Sequence, residues 1–320
     1  TLVGSSSRGP AHDGRIKPDM AAHGQGQMST APNQQYMSFG GTSAAAPSLA
    51  GNLGQLIQAY RNLNSGNNPK SSLLKAAAMN SATDLGNTGP DFRYGYGLIN
   101  TARAYDIIAN NQYLFSTISQ TGTNNHTVTV PAGTGQLRIM LYWHDPQGTV
   151  STSKALVNDL DMVVNGTLLP LVLDHTPNAT TLDNPAAPAV DHLNNVEQVV
   201  VNNPTAGSYA VSINGFSIPS GPQEYVLVYS FIKNDIKVTY PLGGESLVPG
   251  NSEIIHWDAY GNTGTFNVEY SLNNGTSWAT IGSAPGDERN IAWTVPSISA
   301  GEALIRVSRS TQSDVSDETF

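Results

Sequence analysis

Apolar residues recur at helical spacing only in the first third of the chain. After Ser43, residues Ala46, Leu49, Ala50, Leu53, Leu56, Ile57 and Tyr60 fall on one face of a 3.6-residue helix. Asn68 followed by Pro69 predicts an N-cap and a proline at the first helical position, opening a second helix through Leu73, Leu74, Ala77 and Ala78. Asn100 predicts the cap of a third, running through Ala104, Ile107 and Ile108. Beyond residue 112 the period changes to two. His126 to Val130, Leu137 to Trp143, Leu160 to Val164, Val196 to Val201, Tyr209 to Ile213 and Tyr225 to Phe231 read as strands separated by turn residues, and predict an all-β jelly-roll or β-barrel domain over 113–232. A further series, Lys233 to Tyr240, Ile254 to Trp257, Phe266 to Tyr270, Trp278 to Ile281, Ile291 to Val295 and Leu304 to Val307, predicts a small immunoglobulin-like β-sandwich over 233–320. Asn274-Gly275 supplies a type I′ hairpin signal within it.

Composition agrees with short strands and tight turns, because 31 Gly and 19 Pro accompany only 12% charged residues in a chain of 320. A net charge of -9 without a Lys/Arg-rich run leaves nothing to neutralise phosphates, so nucleic acid is not expected as a partner. No apolar run approaches the roughly 20 residues that span a bilayer, and no signal peptide is expected in TLVGSSSRGP. The absence of cysteine excludes disulfides, thiolate catalysis and cysteine-ligated metal.

The segment Ser38 to Pro47, SFGGTSAAAP, places Ser43 between a glycine pair and the start of the first amphipathic helix. Glycine permits a sharp approach, and a helix N-terminus turns free N–H groups and partial positive charge toward the serine. An oxyanion could develop there, or the serine could be a cap in an alanine-rich packing segment.

The string GTSAAAP resembles the nucleophile signature of the subtilase family, G-T-S-x-A-x-P, at every fixed position. SSRGP followed by DGRIKPDMAAHG resembles the strand and loop ahead of that serine, and PDFRYGYGLINTARAY resembles the segment that closes the catalytic domain. The resemblance implies a partial α/β subtilisin-like catalytic domain over 1–112, with Ser43 forming an acyl-enzyme and Gly41 and Thr42 shaping the nucleophile loop. It implies a protein or peptide substrate, an extracellular or cell-surface and bacterial setting, and no catalytic cofactor. It also implies that the acid, the base and the oxyanion asparagine precede this segment, since the family orders its triad as Asp, His, Ser. The upstream histidines are His12 and His23, and His23 stands where the family has proline, which suits a turn better than a base. The chain alone is therefore expected to be nearly inactive and to need its missing N-terminal part as a partner.

Asp159 and Asp161 alternate on one strand and so share a face, while Asp183, Asp191, Asn194, Asn195 and Glu197 follow on loops. These residues form either a solvated acidic rim or the hard-oxygen ligands of a structural calcium ion. ALVNDLDMVV and HLNNVEQVVV resemble the C-terminal β-barrel of certain alkaline subtilases, some of which carry calcium there. Trp143, His144 and Asp145 read as a core tryptophan beside a turn. The rival function is a catalytically silent binding or scaffold module built from the β domains. An α/β-hydrolase is discounted, because Gly41-Thr42-Ser43-Ala44-Ala45 lacks the second elbow glycine.

Overall fold

The computed structural model describes residues 2–178, 180–298 and 300–320. In chain order the elements are β1 (Gln27–Ala31), β2 (Gln35–Phe39), α1 (Thr42–Leu63), α2 (Ser71–Ser81), α3 (Thr101–Ala109), β3 (Tyr113–Ile118), β4 (Thr123–Val130), β5 (Thr134–Trp143), β6 (Asp159–Val164), β7 (Leu171–Val172), β8 (Ala187–Pro188), β9 (Val196–Asn202), β10 (Gly207–Ser217), β11 (Gln223–Lys233), β12 (Ile236–Tyr240), β13 (Ser252–Ala259), β14 (Thr265–Ser271), β15 (Ala279–Pro285), β16 (Asn290–Thr294), β17 (Leu304–Arg309) and β18 (Gln312–Val315). They divide into two compact units, residues 1–132 with 137–231 and residues 133–136 with 232–320.

The first unit is organised by β5, whose run Leu137 to Trp143 is buried along its length. Side chains alternate along a strand, so an apolar residue at nearly every position demands cover on both faces. Leu137, Ile139, Leu141 and Trp143 enter one core with Leu160, Met162, Val211 and Ile213. That core lies between the sheet β4-β10-β6 and the sheet β3-β11-β5-β9. Met140 and Tyr142 point the other way, into a second core with Leu73, Ala77, Met79 and Ile107 of α2 and α3. Each fully buried large side chain contributes about 1.5–3 kcal/mol, so the four inner residues of β5 alone outweigh any local propensity.

A polar seam fixes α2 against this sheet. The Asn80 amide donates to Ser230 Oγ (3.2 Å) and accepts from Gln198 Nε2 (3.1 Å). Arg138 Nη1, from β5, donates to the carbonyl of Ala82 at 2.6 Å, which satisfies a carbonyl at the C-terminal end of α2. α3 begins where Asn100 Oδ1 accepts from the Arg103 N–H at 3.0 Å, the capping expected from the sequence. α2 begins later than expected. Its cap position is Lys70, in extended conformation and without a side-chain cap bond, so Asn68-Pro69 precedes the helix rather than opening it.

The α/β class expected for residues 1–112 is not what forms. This region holds three helices and one antiparallel hairpin, β1-β2, and no other named strand among the described residues. Ala21 and Leu98 make an isolated parallel bridge. The molecule is mostly β-sheet, and α2 and α3 cover the outer face of a sheet that starts at residue 113 instead of one of their own. The physical reason is the double-sided hydrophobicity of β5 and β11, where Val226 and Val228 join Met140 and Tyr142 in offering the helices an apolar surface. The jelly-roll and immunoglobulin labels fall with that class assignment. Residue 112 lies inside the first unit.

In the second unit the sheets β12-β13-β16 and β15-β14-β17-β18 enclose Val238, Ile255, Trp257, Phe266, Val268 and Ile305. Trp257 and Phe266 lie with ring centroids 5.2 Å apart. Asn274 and Gly275 both take positive φ, 50° and 79°, as a type I′ turn requires, within the connection from β14 to β15.

Candidate functional site

Ser43 is the second residue of α1 and is exposed. Gly41, at the cap position, has φ of 96°, a conformation that glycine adopts without steric cost. Its N–H donates to the Gly24 carbonyl at 2.7 Å, and its own carbonyl accepts from Ala44 (3.0 Å) and Ala45 (3.2 Å). A Cβ on Gly24 would lie 2.8 Å from the Gly41 carbonyl oxygen, so the loop after His23 holds the serine loop by close backbone approach. Pro47, inside the helix, has no N–H to give the Ser43 carbonyl four residues back, which loosens the first turn. Thr42 is exposed beside Ser43.

Among the described residues no histidine hydrogen-bonds to Ser43. His12 and His23 are exposed, and the His23 carbonyl accepts from Gln27 Nε2. A serine hydroxyl without an adjacent base is a weak nucleophile at neutral pH, so the geometry supplies a helix N-terminus and a free hydroxyl but no proton acceptor.

The acidic residues singled out from the sequence separate into two places. Asp159 and Asp161 lie on β6, and Glu197 lies on β9 with its Oε2 accepting from the Met162 N–H at 2.6 Å. Glu197 is 1% exposed. Burial, then the charges of Asp191, Asp161 and Asp159, push its pKa well above the ordinary carboxylate value. Burial also raises Asp161 and Asp191. Asp191 is braced by the N–H groups of Leu193 (2.8 Å) and Asn194 (3.0 Å). Asn194 is engaged at both ends of its amide, donating to Asp191 Oδ2 (2.8 Å) and accepting from the Ile16 N–H (2.9 Å). Asp183 stands elsewhere, in a 3-10 turn, where it pairs with Arg93 at 2.6 Å. Asn195 donates to the Trp143 carbonyl at 2.7 Å.

The sequence did not single out His192 or Lys154. His192 Nδ1 lies 3.2 Å from Asp159 Oδ2 and 3.5 Å from Asp161 Oδ1, and Lys154 Nζ lies 3.2 Å from the same Asp159 oxygen. The adjacency of His192 to Asp191 was the one signal available, and it carries no direction.

Trp143 is fully buried and its indole N–H donates to the Asn158 carbonyl at 3.0 Å. The Asp145 carboxylate accepts from the N–H groups of Val157 (2.8 Å) and Asn158 (2.7 Å), while His144 bonds Ser71 Oγ (3.1 Å) and the Tyr142 hydroxyl (3.3 Å). Trp143 and Asp145 thus fasten the end of β5 to the chain entering β6, and a cavity of about 290 Å³ is lined by His144 and Asp145.

Residues 1–97 match the Subtilase family. The C5a peptidase of Streptococcus pyogenes is 42% identical over 82 residues, covering 25% of this chain and 7% of that protein. The serine protease/ABC transporter B family protein tagA of Dictyostelium discoideum is 26% identical over 261 residues, covering 70% of this chain and 15% of that protein. The solved structure of fervidolysin from Fervidobacterium pennivorans, described as a keratinolytic enzyme related to subtilisin, aligns over 98% of this chain and 45% of its own at 14% identity and a TM-score of 0.26. The chain spans a small part of the length of the curated relatives it matches. No helix is long and apolar enough to cross a membrane. Residues 1–97 therefore carry subtilase-family sequence, and the relatives that share it support a serine protease.

Proposed function

We propose that this chain is the nucleophile-bearing part of an extracellular subtilase-type serine endopeptidase, with Ser43 as the nucleophile. The observation that carries the reading is GTSAAAP at the N-terminus of α1, inside the stretch that matches the Subtilase family. In the proposed reaction Ser43 Oγ attacks the scissile carbonyl and a histidine takes its proton. The oxyanion then collapses, the amine leaves with that proton, and water releases the acyl group by the reverse route. The Ser43 N–H at the helix N-terminus is one oxyanion donor, and Gly41 and Thr42 set its direction. The acid, the base and the second oxyanion donor come from polypeptide preceding this segment, for which the exposed apolar residues Met28, Tyr36 and Met37 of the β1-β2 hairpin provide a surface. We keep 1–112, 113–232 and 233–320 as a functional division into nucleophile-bearing, β and C-terminal regions.

The test is hydrolysis of a casein-type substrate by the parent polypeptide that contains these residues. Ser43→Ala is expected to lower kcat by about 10⁴-fold or more without moving the melting midpoint. Unchanged turnover in Ser43→Ala removes the reading. The predominance of sheet over 113–320 favours a second reading, a silent scaffold, which requires that the parent polypeptide hydrolyse nothing.

A further inference from the structure

We infer that the cavity between Arg15 and the connection from β5 to β6 is a binding site for a free α-amino acid with an aliphatic side chain. This inference is independent of the reading of Ser43. Arg15, Asp145, Pro146, Ala155 and Leu156 line the cavity, whose volume is about 290 Å³. Its frame is fixed before any ligand arrives. The Asp13 carboxylate, 2% exposed, accepts from Arg15 Nε at 2.7 Å and from the Ala155 N–H at 3.1 Å, which ties the β5–β6 connection to the N-terminal segment. Asp145 closes the base of the same connection through the N–H groups of Val157 and Asn158. A Cβ on Gly148 would lie 2.9 Å from the Ala155 carbonyl oxygen, so the two arms of the loop meet backbone to backbone. A preformed hollow with apolar walls and a few placed polar groups is the usual form of a small-molecule site, and this volume is at the low end for such sites, which suits a single amino acid better than a longer peptide.

The polar groups left over in the wall select the ligand. His144 is engaged at both ring nitrogens, by Ser71 Oγ and by the Tyr142 hydroxyl, and Asn195 is turned to the Trp143 carbonyl. Arg15 uses only Nε on Asp13. Among the described residues its two Nη groups have no hydrogen-bond partner, and they form a planar fork shaped for a carboxylate. Each Asp145 oxygen accepts one backbone N–H and keeps a second lone pair for a donor. Arg15 pairs with Asp13 and not with Asp145, although its charge is felt there. One group in the wall thus calls for a carboxylate and the other for an ammonium, and an α-amino acid carries both on one carbon. Neither half suffices alone, because a bare carboxylate meets the repulsion of Asp145 and a bare amine that of Arg15. Pro146, Ala155 and Leu156 leave an apolar wall for the aliphatic side chain.

The experiment titrates the whole 320-residue chain calorimetrically with L-leucine and, separately, with isocaproate, which lacks the ammonium, and isoamylamine, which lacks the carboxylate. Expected are uptake of a single leucine per chain, a melting midpoint raised by leucine, and binding of each one-charge analogue weaker by about 10-fold or more. Arg15→Lys keeps a cation beside Asp13 but removes the fork, and should weaken leucine about 10-fold. Leu156→Trp fills the hollow from its apolar side, leaves both charged groups in place, and should abolish leucine uptake. Three results overturn the inference: no leucine uptake, either analogue bound as tightly as leucine, or leucine affinity unchanged in Arg15→Lys or in Leu156→Trp.

Discussion

At Glu197 burial and charge pull in opposite directions. One carboxylate oxygen accepts a backbone N–H and the other accepts nothing, inside a cluster that already holds three aspartates. Its folded-state pKa stands well above the ordinary 4.5, so the folded chain keeps a proton over a pH range in which the unfolded chain has lost it. Stability from this group is therefore fully present below the unfolded pKa and is lost as pH rises through the folded one. In chelator, the midpoint of the wild-type chain should fall as pH rises above 4.5, and Glu197→Gln should flatten that slope, as read by thermal melts across pH. An unaltered slope in the variant would assign the dependence to other groups. Asp159 and Asp161 were legible as partners because a strand's period of two places them on one face. His192 was not legible, since its approach depends on how a loop folds and on stacking with a residue far along the chain. Spacing on a loop likewise says nothing of direction at Asp183, whose carboxylate pairs with Arg93.

Among the elements, α2 shows how a helix of modest amphipathicity becomes fixed. Its apolar face packs on the outer side of β5 and β11, and Asn80 ties it to Ser230 and Gln198 in the sheet. Asn80→Ala leaves both of those groups buried without a partner, and should cost about 2–3 kcal/mol in denaturant titration, with the slope m unchanged. A cost under about 0.5 kcal/mol would mean that the seam is incidental. The strands of the two β regions were readable because alternation with one buried face leaves a strong pattern, as in β4 and β10. The hairpin β1-β2 was missed for the opposite reason: β2 is exposed at every position, and its apolar residues Tyr36, Met37 and Phe39 fall on both faces instead of alternating. β3 was missed because it lies against the helical segment, where Tyr113, Leu114 and Phe115 are consecutive and show no alternation.

For the whole molecule, the resemblance to subtilases and the architecture point in different directions, and both follow from the chain. The resemblance rests on residues 1–97, which hold loops, α1, α2 and, among the described residues, the antiparallel hairpin β1-β2 but no parallel sheet. The helices accordingly use the nearest apolar surface, the back of β3-β11-β5-β9, and the class becomes predominantly β. What that surface does not cover remains open to solvent: Met28 and Tyr36 are more than 70% exposed, and Leu63 at the end of α1 is half exposed. The proposed activity rests on one hydroxyl, that of Ser43, exposed at the N-terminus of α1. The most direct measurement is to treat the active parent polypeptide with a fluorophosphonate and locate the adduct by peptide mass spectrometry. The phosphonyl group is expected on Ser43, and an adduct on any other serine of an active preparation rules Ser43 out as the nucleophile.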